Sequence, residues 1–123
     1  MGMLQIVALT PAVPRVARMP FRASVCIVTS PELMAQACAA RSRDVVIVPV
    51  GELGVSGVRA VRRGMRPDAL LVGVARTLEE ATAATLELSL YDHVATAGRL
   101  EAELASIIGH RTTLERFAVC DAG

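Results

Sequence analysis

The sequence contains no lysine: all thirteen of its basic residues are arginine. It also contains no asparagine and no tryptophan. Its only aromatic residues are Phe21, Tyr91 and Phe117, and its only aspartates are Asp44, Asp68, Asp92 and Asp121. Each absence excludes something. Chemistry that needs a lysine ammonium is ruled out. Stacking of nucleic-acid bases on exposed rings is left with too few rings. Excess charge of one sign is lacking too: thirteen basic residues against twelve acidic ones leave a net charge of +1, so no global field draws the chain to nucleic acid or to an anionic membrane. No apolar run approaches the ~20 residues of a membrane-spanning helix. Met1 to Thr10 has neither the basic start nor the small-residue cleavage site of a signal peptide, so the expected location is the cytoplasm. Cys26, Cys38 and Cys120 are odd in number and show no paired spacing, which suits reduced thiols. Neither His93 nor His110 stands at ligand spacing from a cysteine, so no metal site and no cofactor is expected.

What is there is aliphatic. Hydrophobic residues make up 53% of the 123, which excludes a disordered chain and suits one domain with a core of Val, Leu, Ile and Ala. Leu4 to Leu9 is a short, nearly continuous apolar run, the pattern of a strand buried on both faces. Ser24 to Val28, Asp44 to Val48 and Ala69 to Val74 repeat the pattern, and His93 to Thr96 is a weaker fifth strand. Helical segments alternate with these runs: Pro11 to Met19, Pro31 to Ala40, Gly57 to Met65, Leu78 to Leu88 and Leu100 to Ile108. Pro11 and Pro14 are read into the first turn of the first helix, and Pro20 ends it. Ser30 is placed to cap the second, Thr77 and Glu80 have capping-box spacing at the fourth, and Gly109 stops the last. This alternation predicts an α/β fold of (βα)5 type, a doubly wound, flavodoxin-like parallel sheet of five strands in the order 2-1-3-4-5. Residues 1–109 would form the domain, and 110–123 a C-terminal tail or the start of a linker to an output domain.

Ligands of doubly wound sheets bind outside the carboxyl ends of the strands. The residues expected there are Ala8-Leu9-Thr10, Pro49-Val50-Gly51, Val74-Ala75 and Thr96-Ala97. At this point the chain from Leu4 to Ile108 resembles the receiver domain of two-component response regulators. The stretch from Asp44 to Gly57 matches that family's third strand and following loop, with the loop glycines at the right spacing. Pro67 to Ala75 looks like its fourth strand, and Tyr91 to Ala97 followed by Leu100 to Leu104 like its fifth strand and last helix.

The resemblance implies five functional positions, and this chain departs from the family at each. The acidic pair that holds Mg²⁺ after the first strand is replaced by Ala8 and Leu9. The phosphoryl-accepting aspartate is replaced by Pro49, and the Ser or Thr ending the fourth strand by Val74. The lysine after the fifth strand is replaced by Thr96 or Ala97, depending on register. Mg²⁺ requires hard oxygen ligands, and proline offers no nucleophilic atom. No local shift of alignment rescues the chemistry. No aspartate is expected at a strand's carboxyl end, and no lysine exists anywhere. The pattern is that of a degenerate receiver, a pseudo-receiver.

Around this edge Thr10, Gly51 and Glu52 are candidate ligand or loop contacts, with Thr29, Ser30 and Ser56 beside them; Thr10 and Ser30 also read as helix caps. Arg59, Arg62, Arg63 and Arg66 form a basic stripe that reads chiefly as a solvated face. Response-regulator dimers often use the face of the fourth helix, fifth strand and fifth helix. The resemblance therefore offers Glu87, Tyr91, His93, Arg99 and Glu103 as a dimer face. The expected function is a phosphorylation-independent regulatory module for protein interaction and homodimerisation. It would be the N-terminal part of a bacterial transcriptional regulator, touching DNA only through an output domain not in this chain. The alternative is a small-molecule sensor whose former phosphorylation pocket has become apolar. An enzyme is not expected: there is no Gly-rich phosphate loop after the first strand and no nucleophile–base pair.

Overall fold

The structure, a computed structural model, describes residues 4–19, 22–40, 43–86 and 90–109. Five parallel strands form one sheet: β1 (Leu4–Leu9), β2 (Ala23–Val28), β3 (Val45–Pro49), β4 (Leu70–Ala75) and β5 (His93–Thr96). Their order is β2-β1-β3-β4-β5, as the alternating pattern predicts. The helices are α1 (Pro31–Ala40), α2 (Gly54–Gly64), α3 (Leu78–Leu86) and α4 (residues 100–109). Among the described residues, no helix is long and apolar enough to cross a membrane.

The strands alternate their side chains between two aliphatic clusters. Ile6, Ala8, Val45, Ile47, Val72 and Val74 face Leu100 and Leu104 of α4. Val7, Leu9, Val46, Val48 and Leu71 face Met34 and Cys38 of α1 and Val58 and Val61 of α2. This double burial explains why β1, β3 and β4 read as continuous apolar runs. The Ser30 side chain accepts the Leu33 amide at 3.3 Å, and the Thr77 side chain accepts the Glu80 amide at 3.1 Å, so both predicted caps form.

The first crossover departs from expectation. The predicted helix from Pro11 to Met19 is absent; the segment holds a turn and a single 3-10 turn, Val16–Arg18. With Pro11 in the first turn, Pro14 removes the first amide able to make an intrahelical bond. Pro20 then biases Met19 away from helical backbone. Too few residues remain between them to nucleate an α-helix. Ala12 and Met19 are nevertheless buried against the α4 side of the sheet, so the segment covers the core without being helical. A second departure is smaller: α2 begins at Gly54, three residues before the expected Gly57. Val55 and Ser56 in that extra turn are both exposed, so they add nothing to the buried stripe that marks the helix in the sequence.

The described aspartates, Asp44, Asp68 and Asp92, lie at the amino edge of the sheet. Asp44, just before β3, accepts the Gln5 amide at 2.8 Å and an Arg66 guanidinium N–H at 2.9 Å. Asp92, just before β5, accepts the Leu71 amide at 2.8 Å and an Arg62 N–H at 3.3 Å. Each carboxylate thus ties the start of its strand to the neighbouring strand, Asp92 also to α2 and Asp44 to the segment just after it. Arg66 also meets Asp68 at 3.4 Å, and Arg62 donates to the Leu90 carbonyl at 2.9 Å. Two arginines of the predicted stripe are therefore anchored to the sheet's amino edge.

Val46 has no exposed surface, and no charged side chain is buried among the described residues. A carboxylate at this position would meet no partner. Val46→Asp is expected to destabilise the fold by about 3–5 kcal/mol. Urea denaturation checks this; an unchanged midpoint contradicts the described core.

Candidate functional site

Strand register sets the carboxyl edge. Pro49 pairs with Val74, Val74 with Ala95, and Ala75 with Thr96. Ala8 pairs with Ile47, leaving Leu9 at the end of β1. The five positions implied by the receiver resemblance do not all converge. Pro49 and Val74 meet and form the floor of an open cavity of about 270 Å³, whose wall includes Pro11, Ala12, Val50 and Ala97. Ala8 is buried in the α4-side cluster and Leu9 in the opposite one; neither lines the cavity. Thr96 is half-buried and its neighbour Ala97 takes its place in the wall.

Of the candidate contacts, Glu52 is exposed and lines this cavity. Gly51, with φ +87°, turns the β3–α2 loop and lines a second cavity of about 310 Å³ instead. Thr10 is exposed at the end of β1, and with no helix following it has none to cap.

Five loop amides around the first cavity are turned to internal use. Thr10 donates to Val28 at 3.0 Å, Ala12 to Leu9 at 2.9 Å and Val13 to Pro11 at 2.9 Å. Val50 donates to Val74 at 2.9 Å and Glu52 to Pro49 at 3.4 Å. Pro11 and Pro49 have no amide hydrogen to offer. An anion cradle needs convergent free N–H groups, and these amides supply none. Charge reaches the cavity only at its rim. Arg76, which follows β4, pairs with Glu80 of α3 at 3.7 Å across one helical turn, and Glu52 faces them from the β3–α2 loop. Among the described residues, no group of three or more His, Cys, Asp and Glu side chains is arranged to hold a metal ion. The side chains at the metal- and phosphoryl-binding positions, Ala8, Leu9 and Pro49, have no oxygen to ligate one.

The second cavity shares Val50 and Glu80 with the first and extends to Leu90 and Tyr91. Tyr91 packs over Gly73 in the middle of β4. A Cβ at Gly73 would stand 2.9 Å from the ring and 3.0 Å from Val50, so the glycine is what admits the ring. Neither this contact nor the Arg76–Glu80 pair follows from the apolar pattern. A glycine inside an otherwise aliphatic strand was the one available signal of the first.

The residues offered as a dimer face are partly committed elsewhere. Tyr91 is half-buried against Gly73, and His93 Nε2 lies 3.0 Å from Glu103 Oε2. Arg99 is exposed. Glu87 lies outside the described residues, as do His110, Cys120 and the 110–123 segment. Cys38 is buried, and desolvation pushes its thiol pKa up against the opposing effect of Arg43, which keeps it protonated and inert. Cys26 in β2 is free and half-buried.

Comparison with solved structures agrees with the strand order and helix arrangement. A crystal structure of a response regulator protein from Burkholderia pseudomallei, with a phosphorylated aspartic acid, calcium ion and citrate, is similar with a TM-score of 0.57. The match covers 91% of this chain and 74% of that one, at 14% sequence identity. The fold is therefore that of a response-regulator receiver. No protein-family model and no curated protein sequence matches the chain.

Gly73→Ala is expected to cost about 1–3 kcal/mol through overpacking against Tyr91 and Val50. Adding Tyr91→Ala should recover part of that loss, because the clash is removed. Thermal unfolding of the two single variants and the double variant checks the coupling; strictly additive losses contradict the contact.

Proposed function

We propose that this domain is an atypical receiver that works without phosphorylation, as a regulatory module for protein–protein interaction and homodimerisation. The observation that carries the reading is the floor of the carboxyl-edge cavity. There Pro49 and Val74 meet where a receiver needs an aspartate and a hydroxyl. Proline cannot accept a phosphoryl group, and the flanking Ala8 and Leu9 cannot hold the divalent cation that would assist transfer. A receiver fold without this chemistry keeps its surfaces for partners. In this reading the domain is the N-terminal, cytoplasmic part of a bacterial transcriptional regulator, with DNA binding assigned to an output domain outside the chain. Its role is regulatory, not enzymatic.

A second reading is favoured by the cavity itself. An apolar floor with a few polar groups at the rim is the usual composition of a small-molecule site. The two readings are compatible if a ligand, instead of a phosphoryl group, biases the partner surfaces.

Incubation with acetyl phosphate and Mg²⁺ tests the first reading. The intact mass should show no phosphoryl adduct. Sedimentation equilibrium should show a concentration-dependent dimer that the phosphodonor leaves unchanged. A phosphoryl adduct overturns phosphorylation independence, and a strict monomer at high concentration overturns the homodimer.

A further inference from the structure

We infer that the carboxyl-edge cavity takes a small apolar molecule bearing a single cationic group, such as a cyclic or branched alkyl amine. The inference rests on the ligand-sensing reading and gives that ligand a chemical class.

Three independent features converge on it. The floor and wall are hydrocarbon: Pro49, Val74, Ala12, Val50 and Ala97 present no polar side-chain atom. Filling such a surface favours an apolar body. The volume, about 270 Å³, corresponds to roughly nine waters of liquid volume, enough for a single small ring or branched chain. Next, the edge offers little to an anion. The amides of Ala12, Val50 and Glu52 each donate to a backbone carbonyl, and Pro11 and Pro49 have none. The single cation at the rim, Arg76, is already paired with Glu80 and is 86% exposed. Finally, the rim carries two carboxylates to one guanidinium. Glu52 has no ion-pair partner among the described residues, so the local balance is negative and opposite to an anion's requirement. An ammonium at the mouth would sit between Glu52 and Glu80 while its alkyl body covers Pro49 and Val74.

The test uses three matched probes: cyclohexylamine, cyclohexanol and cyclohexanecarboxylate. Each is titrated into the full chain and followed by two-dimensional amide NMR at neutral pH. Saturable shifts at Val50, Gly51, Glu52 and Ala97 are expected with the amine. The alcohol should bind more weakly and the carboxylate most weakly of the three. Glu52→Gln, a change at an exposed position that leaves the fold intact, should weaken the amine about two- to fivefold and leave the alcohol unchanged, the range of one exposed ion pair. Ala97→Leu should abolish binding of both by filling the cavity. If the alcohol or the carboxylate binds as well as the amine, the cavity is a ligand site but the chemical class is wrong. If none of the three moves these amides, both the class and the ligand-sensing reading fall.

Discussion

The aliphatic slab of β1, β3 and β4 constrains everything else in this fold. It is buried on both faces, and none of the described polar or charged side chains is buried. An interior of low polarizability tolerates an ion only with partners that stabilise it, and branched aliphatic side chains provide none. Charge is therefore expelled to the two edges of the sheet, and the edges treat it differently. At the amino edge Asp44 and Asp92 each accept a neighbouring strand's amide and an arginine, Arg66 just beyond α2 for Asp44 and Arg62 of α2 for Asp92, so the carboxylates align the strands. At the carboxyl edge the strands end in Leu9, Pro49 and Ala75, and charge appears only beyond them, on Glu52, Arg76 and Glu80.

That asymmetry separates this domain from an active receiver of the same fold. A receiver places its acidic groups where the strands end. Here Asp44 and Asp92 stand at the opposite edge, where they tie neighbouring strands together. The carboxyl edge keeps the concavity that the topology creates at the reversal of strand order. The buried part of its lining, Ala12, Pro49 and Val74, is hydrocarbon. The fold therefore does not by itself say what this edge does, and function has to be argued from the site.

Much of this was legible in the sequence, for definite reasons. Runs such as Val45 to Val48 are too short and too continuously apolar to be anything but doubly buried strands, and they set the sheet order with their helical spacers. The residue types at the receiver positions were legible without any coordinates: Pro49 has no nucleophile at any register, and the chain has no lysine. The first crossover was misread. Proline at a helix start is ordinarily benign, and only the spacing of Pro11, Pro14 and Pro20 removes the room to nucleate. The Tyr91–Gly73 contact and the Arg76–Glu80 rim depend on tertiary placement and have no periodic signature. The dimer-face residues were inferred by resemblance, and the structure commits His93 to Glu103 and Tyr91 to Gly73.

The most direct test of the central claim, that this carboxyl edge has lost the phosphoryl switch, is a two-dimensional amide NMR spectrum recorded with and without Mg²⁺ and beryllofluoride, the phosphoryl mimic. The account predicts coincident spectra. Shifts clustered at Leu9, Val50 and Ala75 would contradict it, because they would reveal an anion or metal site where Ala8, Leu9, Pro49 and Val74 supply no side-chain ligand atom.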